Sequence, residues 1–186
     1  SSSSSLGRYS VSRISSMESV VGASSDGCSL LLRTPVCFSC DTSSGCRVQW
    51  VRVARFQSIS IGSGGSLSVP AWSPSSGTGG VLALRTQSGL TVSSGGLVDV
   101  SGRGYPGGIG SSSGSGPSGG SGGVGGNGGS LDASLSSSWR SQLLVMGSGG
   151  GGSDSGSLAG GSGGGIFFVQ ARGVDGSGEI SGAGRS

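Results

Sequence analysis

From Val48 onward the apolar residues of this chain come in short alternating groups. Val48, Trp50, Val51 and Val53 are followed by Ile59 and Ile61, then by Leu67 and Val69. Val81, Leu82 and Leu84 lead to Leu90 and Val92, then to Val98 and Val100. Small or polar residues alternate with them, which is the period of a half-buried strand. Gly/Ser turns separate the groups at intervals of roughly eight residues, as in an all-β repeat. No segment shows a 3.6-residue period, and each glycine would cost a helix about 1 kcal/mol relative to alanine.

The groups repeat. Ile59, Ile61, Gly64, Gly65, Leu67 and Val69 correspond one by one to Leu90, Val92, Gly95, Gly96, Val98 and Val100, an offset of 31 residues. A looser third copy follows near the C-terminus. Gly79-Gly80-Val81 returns as Gly164-Gly165-Ile166, and the Gly96–Arg103 stretch returns as Gly178–Arg185. The unit is strand, Gly-Gly turn, strand. Copies that match in register predict an all-β, short-strand β-solenoid, similar to a parallel β-helix, in which successive coils stack their Val, Ile and Leu positions. The alternative is a β-sandwich of hairpins with Gly-Gly turns.

Three regions follow from this pattern. Residues 1–27 are Ser-rich with scattered apolar positions that fit a strand or two at an edge. Residues 28–46 hold all the cysteines, and residues 47–186 form the glycine-rich β-repeat domain. Within that domain, 101–130 and 147–165 are Gly/Ser excursions. They are expected to fold back on themselves as extended, polyproline-II-like chains hydrogen-bonded side by side.

Composition changes the picture in one respect. Gly supplies 44 of 186 residues, while aromatics are 5% and charged residues 10%. Little apolar surface is available to offset chain entropy. Ordering so many glycines therefore requires a repetitive hydrogen-bonded scaffold or neighbours in an assembly.

The four cysteines, Cys28, Cys37, Cys40 and Cys46, are spaced C-x8-C-x2-C-x5-C. Two disulfides stapling a small knot are the favoured reading, and they imply an oxidising compartment. The pairing is open among three connectivities. A four-thiolate zinc site is disfavoured because only Cys37 and Cys40 form a C-x2-C knuckle. No metal or other cofactor is expected.

The net charge of +3 comes from 11 scattered arginines, with no Lys and no His. Arg47, Arg52 and Arg55 near Trp50 and Phe56 are the nearest approach to a basic stripe. They read as an exposed strand face, so no nucleic-acid partner is expected. Without His there is no Ser/His/Asp triad or His-activated thiol, and without Lys no Walker loop. Asp99, Asp175 and Glu179 would have to converge to cleave a polysaccharide; they read as solvated outward positions, and the chain is expected not to be an enzyme. No acid lies in a calcium-loop pattern, and five threonines are too few for an ice-binding array.

No membrane span is expected, since the Leu30-Leu31-Leu32 run is far too short. Ser1–Ser5 does not read as a signal peptide, so a secreted chain would have lost its leader or be a fragment. Thr34, Ser73, Ser75 and Ser76, beside Pro35 and Pro74, are candidate O-glycosylation positions. Trp72, Tyr105 and Trp139 are candidate glycan-contact aromatics.

The segment from Gly79 to Arg185 resembles the glycine-rich repeat of very large secreted or surface proteins of protists, algae and some bacteria. The strand pair Leu90–Val100 leads into Gly102-Arg-Gly-Tyr-Pro-Gly-Gly108, then a long Gly tract, then the closing strand Gly163-Gly-Gly-Ile-Phe-Phe-Val169. The resemblance implies β-solenoid architecture, an extracellular or cell-surface location and a structural or adhesive role, sometimes in fibrous appendages. It carries no catalytic residues. The chain is thus expected to be a structural subunit of an extracellular filament, appendage or wall, homo-oligomeric or polymeric through β edges and Gly-rich segments. The alternative is a carbohydrate- or surface-binding adhesion module with glycans as partners.

Overall fold

A computed structural model describes residues 14–20, 27–33, 48–116, 120, 145–153 and 158–186. Among them the chain is all-β. A hairpin comes first: β1 (Ile14–Val20) pairs antiparallel with β2 (Gly27–Leu32), placing Ser19 opposite Cys28. Nine strands follow in three passes. The first pass gives β3 (Ala54–Phe56), β4 (Ile59–Ile61) and β5 (Ser66–Ser68). The second gives β6 (Val81–Thr86), β7 (Gly89–Val92) and β8 (Leu97–Asp99), and the third β9 (Ile166–Gln170), β10 (Gly173–Gly176) and β11 (Glu179–Ser181).

These nine strands build three parallel three-stranded sheets, ordered β3-β6-β9, β4-β7-β10 and β5-β8-β11. Each sheet takes one strand from each pass, so strands adjacent in sequence do not pair with each other as hairpins. The register is that of the repeat: Ile59 pairs Leu90 and Val174 follows, while Leu67 pairs Val98 and Ile180 follows. The loose third copy is also in register, with Val81 on Ile166 and Leu97 on Glu179.

One core serves all three sheets. Leu82 and Leu84 from β6, Leu90 and Val92 from β7, and Val98 from β8 cluster with Ile61 and Val100. Leu90 and Val98 are completely enclosed because a pass lies on either side of each. Full burial of such a side chain stabilises by about 1.5–3 kcal/mol. The corners explain the paired glycines. Gly64 and Gly95 occupy equivalent positions with φ of 74° and 75°, a conformation side chains rarely adopt. The Gly64 amide donates to the Gly95 carbonyl at 2.8 Å, so one corner sits on the next.

The apolar alternation overstated one strand and left another unnamed. Val48–Val53 carry a strand-like pattern, yet pairing begins only at Ala54. β10, with the sequence Gly173-Val-Asp-Gly176, has one apolar residue and is a strand because β7 supplies its partner.

Between β8 and β9 runs the long excursion. Its described segments contain no assigned strand beyond isolated bridges, but they are hydrogen-bonded to one another throughout. The amides of Tyr105 and Gly108 donate to the carbonyls of Gly147 and Gly150. Gly147 and Gly150 in turn donate to Gly164 and Gly161, and Gly149 and Gly152 to Ser115 and Ser112. The donors recur every third residue, the period of a polyproline-II chain. The described segments are thus hydrogen-bonded side by side, and residues 117–119, 121–130 and 154–157 of the expected excursions lie outside the described residues. Glycine is needed because neighbouring backbones touch: a Cβ on Gly107 would overlap the Gly160 carbonyl, and one on Gly163 the Gly147 carbonyl.

Candidate functional site

The third-pass end of the stack exposes ladder positions that the middle pass encloses. β9, β10 and β11 each lie at the margin of their sheet, so one side of each strand has no strand partner among the described residues. Val174 and Ile180 occupy the same ladder positions as the enclosed Leu90 and Val98, yet they are 48% and 47% exposed. The same apolar ladder position is thus half-buried in the first pass, enclosed in the second and exposed in the third. Asp175 and Glu179 are exposed beside them.

A difference in the corner opens this end further. Four residues connect β4 to β5 and β7 to β8, but only Ser177 and Gly178 connect β10 to β11. The shorter corner leaves a groove lined by Gly95, Gly96, Leu97, Ser177, Gly178 and Glu179.

The third pass is fastened from behind. One Asp99 carboxylate oxygen accepts the Ser101 amide at 2.8 Å, and the other accepts the Arg185 guanidinium at 2.8 Å. The Ser101 hydrogen bonds hold the Asp99 carboxyl below its ordinary range; Arg185 adds to this, and desolvation opposes it. Ser101 and Ser181 share a hydroxyl hydrogen bond, and Gly102 donates to Ala183. Arg185 and Ser162 exchange backbone hydrogen bonds, tying the last residues to the glycine layer.

This geometry places several residues singled out by sequence. Asp99 is occupied by Ser101 and Arg185, whereas Asp175 and Glu179 stand at the exposed end. Trp72 and Tyr105 meet edge to face with ring centroids 4.8 Å apart, and both are half-buried. Burial pushes the Tyr105 phenol above its ordinary pKa. Ser73 and Ser75 hydrogen-bond through their hydroxyls, and Ser76 does so with Thr78, in an exposed turn. Cys28 lies on β2. Cys37, Cys40, Cys46, Thr34, Arg47 and Trp139 lie outside the described residues.

Among the described residues no three His, Cys, Asp or Glu side chains are grouped to hold a metal ion, and no helix is long and apolar enough to cross a membrane. Sequence reasoning passed over Val174 and Ile180, although the repeat offered the signal: both belong to the third copy. It also passed over Arg185 as the partner of Asp99. No family model, curated protein or solved structure matches the chain.

Proposed function

We propose that this chain is a β-solenoid structural subunit of an extracellular filament, appendage or wall, and that it works by self-association. One observation carries the reading: the ladder that encloses Leu90 and Val98 continues to Val174 and Ile180, which are exposed on strands with one unpartnered side among the described residues. Strand margins without partners are templates for pairing with another chain. The resemblance to glycine-rich repeats of large secreted and surface proteins supplies the extracellular setting. Disulfides among Cys28, Cys37, Cys40 and Cys46 fit that oxidising environment.

The chemistry of the surface favours a scaffold over an enzyme. Asp99 is bound up in holding the third pass, and Asp175 and Glu179 face outward without a nearby histidine anywhere in the chain. The adhesion-module alternative is weakened by the packing of Trp72 on Tyr105, which takes up ring surface a sugar would stack on. Sedimentation velocity over a hundredfold concentration range, with electron microscopy of the same samples, tests the proposal. Concentration-dependent polymers are expected. A strictly monomeric protein throughout would overturn it.

A further inference from the structure

We infer that copies of this chain stack head to tail, with the third pass of one pairing in parallel register with the first pass of the next. Val174 then lies over Ile59 and Ile180 over Leu67. The inference rests on the proposed self-association and specifies its surface and geometry.

Three observations lead to a second copy as the occupant. First, the interface already exists twice within the chain. The first pass meets the second, and the second meets the third, through the same ladder positions in the same direction. A further pass with a small or apolar residue at those positions continues the series, and this chain's own first pass carries Ile59 and Leu67, both half-buried.

Second, the backbone is complementary by construction. In a parallel sheet the two sides of a strand offer matching N–H and C=O groups, so the side of β10 that has no strand partner among the described residues suits the corresponding side of β4. The contact is heterologous, joining unlike ends, and it propagates instead of closing as a twofold dimer would.

Third, the ends differ in charge. Residues 48–68 contain Arg52 and Arg55, both exposed, and no acid. The third pass, 166–181, contains Asp175 and Glu179 against a single Arg172. Stacking therefore brings a net positive end onto a net negative one.

The register gives the test. Within the chain Asp175 pairs Thr91, and Thr91 pairs Ser60. In the stack Asp175 of one copy comes opposite Ser60 of the next. Ser60 and Asp175 are both exposed, so substitutions there leave the core untouched. Ser60→Asp places like charges opposite each other, and Ser60→Asp with Asp175→Arg restores an attractive pair; cross-strand pairs of this kind shift an association constant by about fivefold. Association of the full-length chain and its variants is measured by sedimentation equilibrium, with circular dichroism confirming that each variant keeps its strand signal.

Weakening by Ser60→Asp and recovery in the double variant support the stack. A second variant, Val174→Glu with Ile180→Glu, is expected to abolish it. If the wild-type chain associates and none of these changes alters the constant, the head-to-tail geometry is overturned while self-association through another surface stands. If the wild-type chain does not associate, both fall.

Discussion

The β ladder and the glycine layer solve the same problem with opposite materials. In the ladder, Leu82, Leu84, Leu90, Val92 and Val98 fill a shared core, and the backbone is spaced apart by the side chains it carries. In the layer, segments 104–116, 145–153 and 158–165 approach until backbone touches backbone, and side chains are excluded at those contacts. The ladder is driven by removal of apolar surface from water. The layer removes little apolar side-chain area, and its order comes from hydrogen bonds every third residue between neighbouring chains. Its glycines each lose more conformational freedom than other residues would. A layer of this kind needs a rigid neighbour, and the ladder is that neighbour: the excursion leaves from β8 and returns at β9, with Gly165 donating to Val100 and Ile166 to Gly80. Met146 joins the two materials, buried at 8% exposure close beside Gly80.

The difference predicts opposite responses to enlarging and truncating side chains. Leu90→Ala removes buried volume with no route to solvent and should cost about 2–5 kcal/mol of folding stability. Urea denaturation followed by circular dichroism measures it; a loss below about 1 kcal/mol would mean the three sheets do not share a core.

Gly163→Ala adds one methyl where the Gly147 backbone lies and should cost about 1–3 kcal/mol. Its signature is local. The amides of Gly104, Gly147, Gly150 and Gly163 are hydrogen-bonded, and their exchange should accelerate relative to the wild type while the ladder amides stay protected. The matched control is Gly62→Ala, where no atom lies within 4 Å of the added carbon and φ is not in the left-handed region. That change should be neutral or stabilise by about 0.4–1 kcal/mol. Equal effects at Gly62 and Gly163 would erase the distinction between corner and layer.

Asp99 tests how the third pass is fastened to the second. Its carboxyl is held below the ordinary value of 3.8, first by the Ser101 hydrogen bonds. A carboxylate with a lowered folded pKa contributes stability that is fully present above its unfolded pKa and is lost as pH falls through the folded one. Denaturation midpoints should therefore decline on acidification below the unfolded value, and Asp99→Asn should flatten that part of the profile. An unchanged profile in the variant would remove Asp99 from the account. Arg185→Ala should have the smallest effect, about 0–1 kcal/mol, because the Arg185 side chain is 61% exposed and the pair is screened by solvent. Thermal melts at low and high salt are the measurement, and a loss well above that range at both would show that Arg185 acts through its packing on Gly102.

The alternation of Ile59, Ile61, Leu67 and Val69 with their counterparts at Leu90, Val92, Val98 and Val100 made the strands and their register legible before any coordinates. The reason is local: a side-chain period of two and a glycine corner are properties of a few consecutive residues. Val48–Val53 shows the limit of that signal, since an alternating pattern forms a strand only when a partner edge is within reach. β10 shows the reverse, a strand that four unpromising residues adopt because β7 presents an edge to them.

The candidate surface was legible only in part. Sequence placed Val174 and Ile180 in a repeat, but whether a ladder position is covered depends on what lies above it. The pairing of Asp99 with Arg185 spans 86 residues and was likewise out of reach, because the length and path of the glycine excursion decide where the chain returns. By itself, then, the sequence determined a three-copy β unit with glycine corners and glycine tracts too poor in side chains to build a core. Tertiary structure decided the rest: which pass is enclosed, which glycines are squeezed against backbone, and which ladder positions are exposed. These depend on contacts between residues far apart in the chain, and no local pattern encodes them.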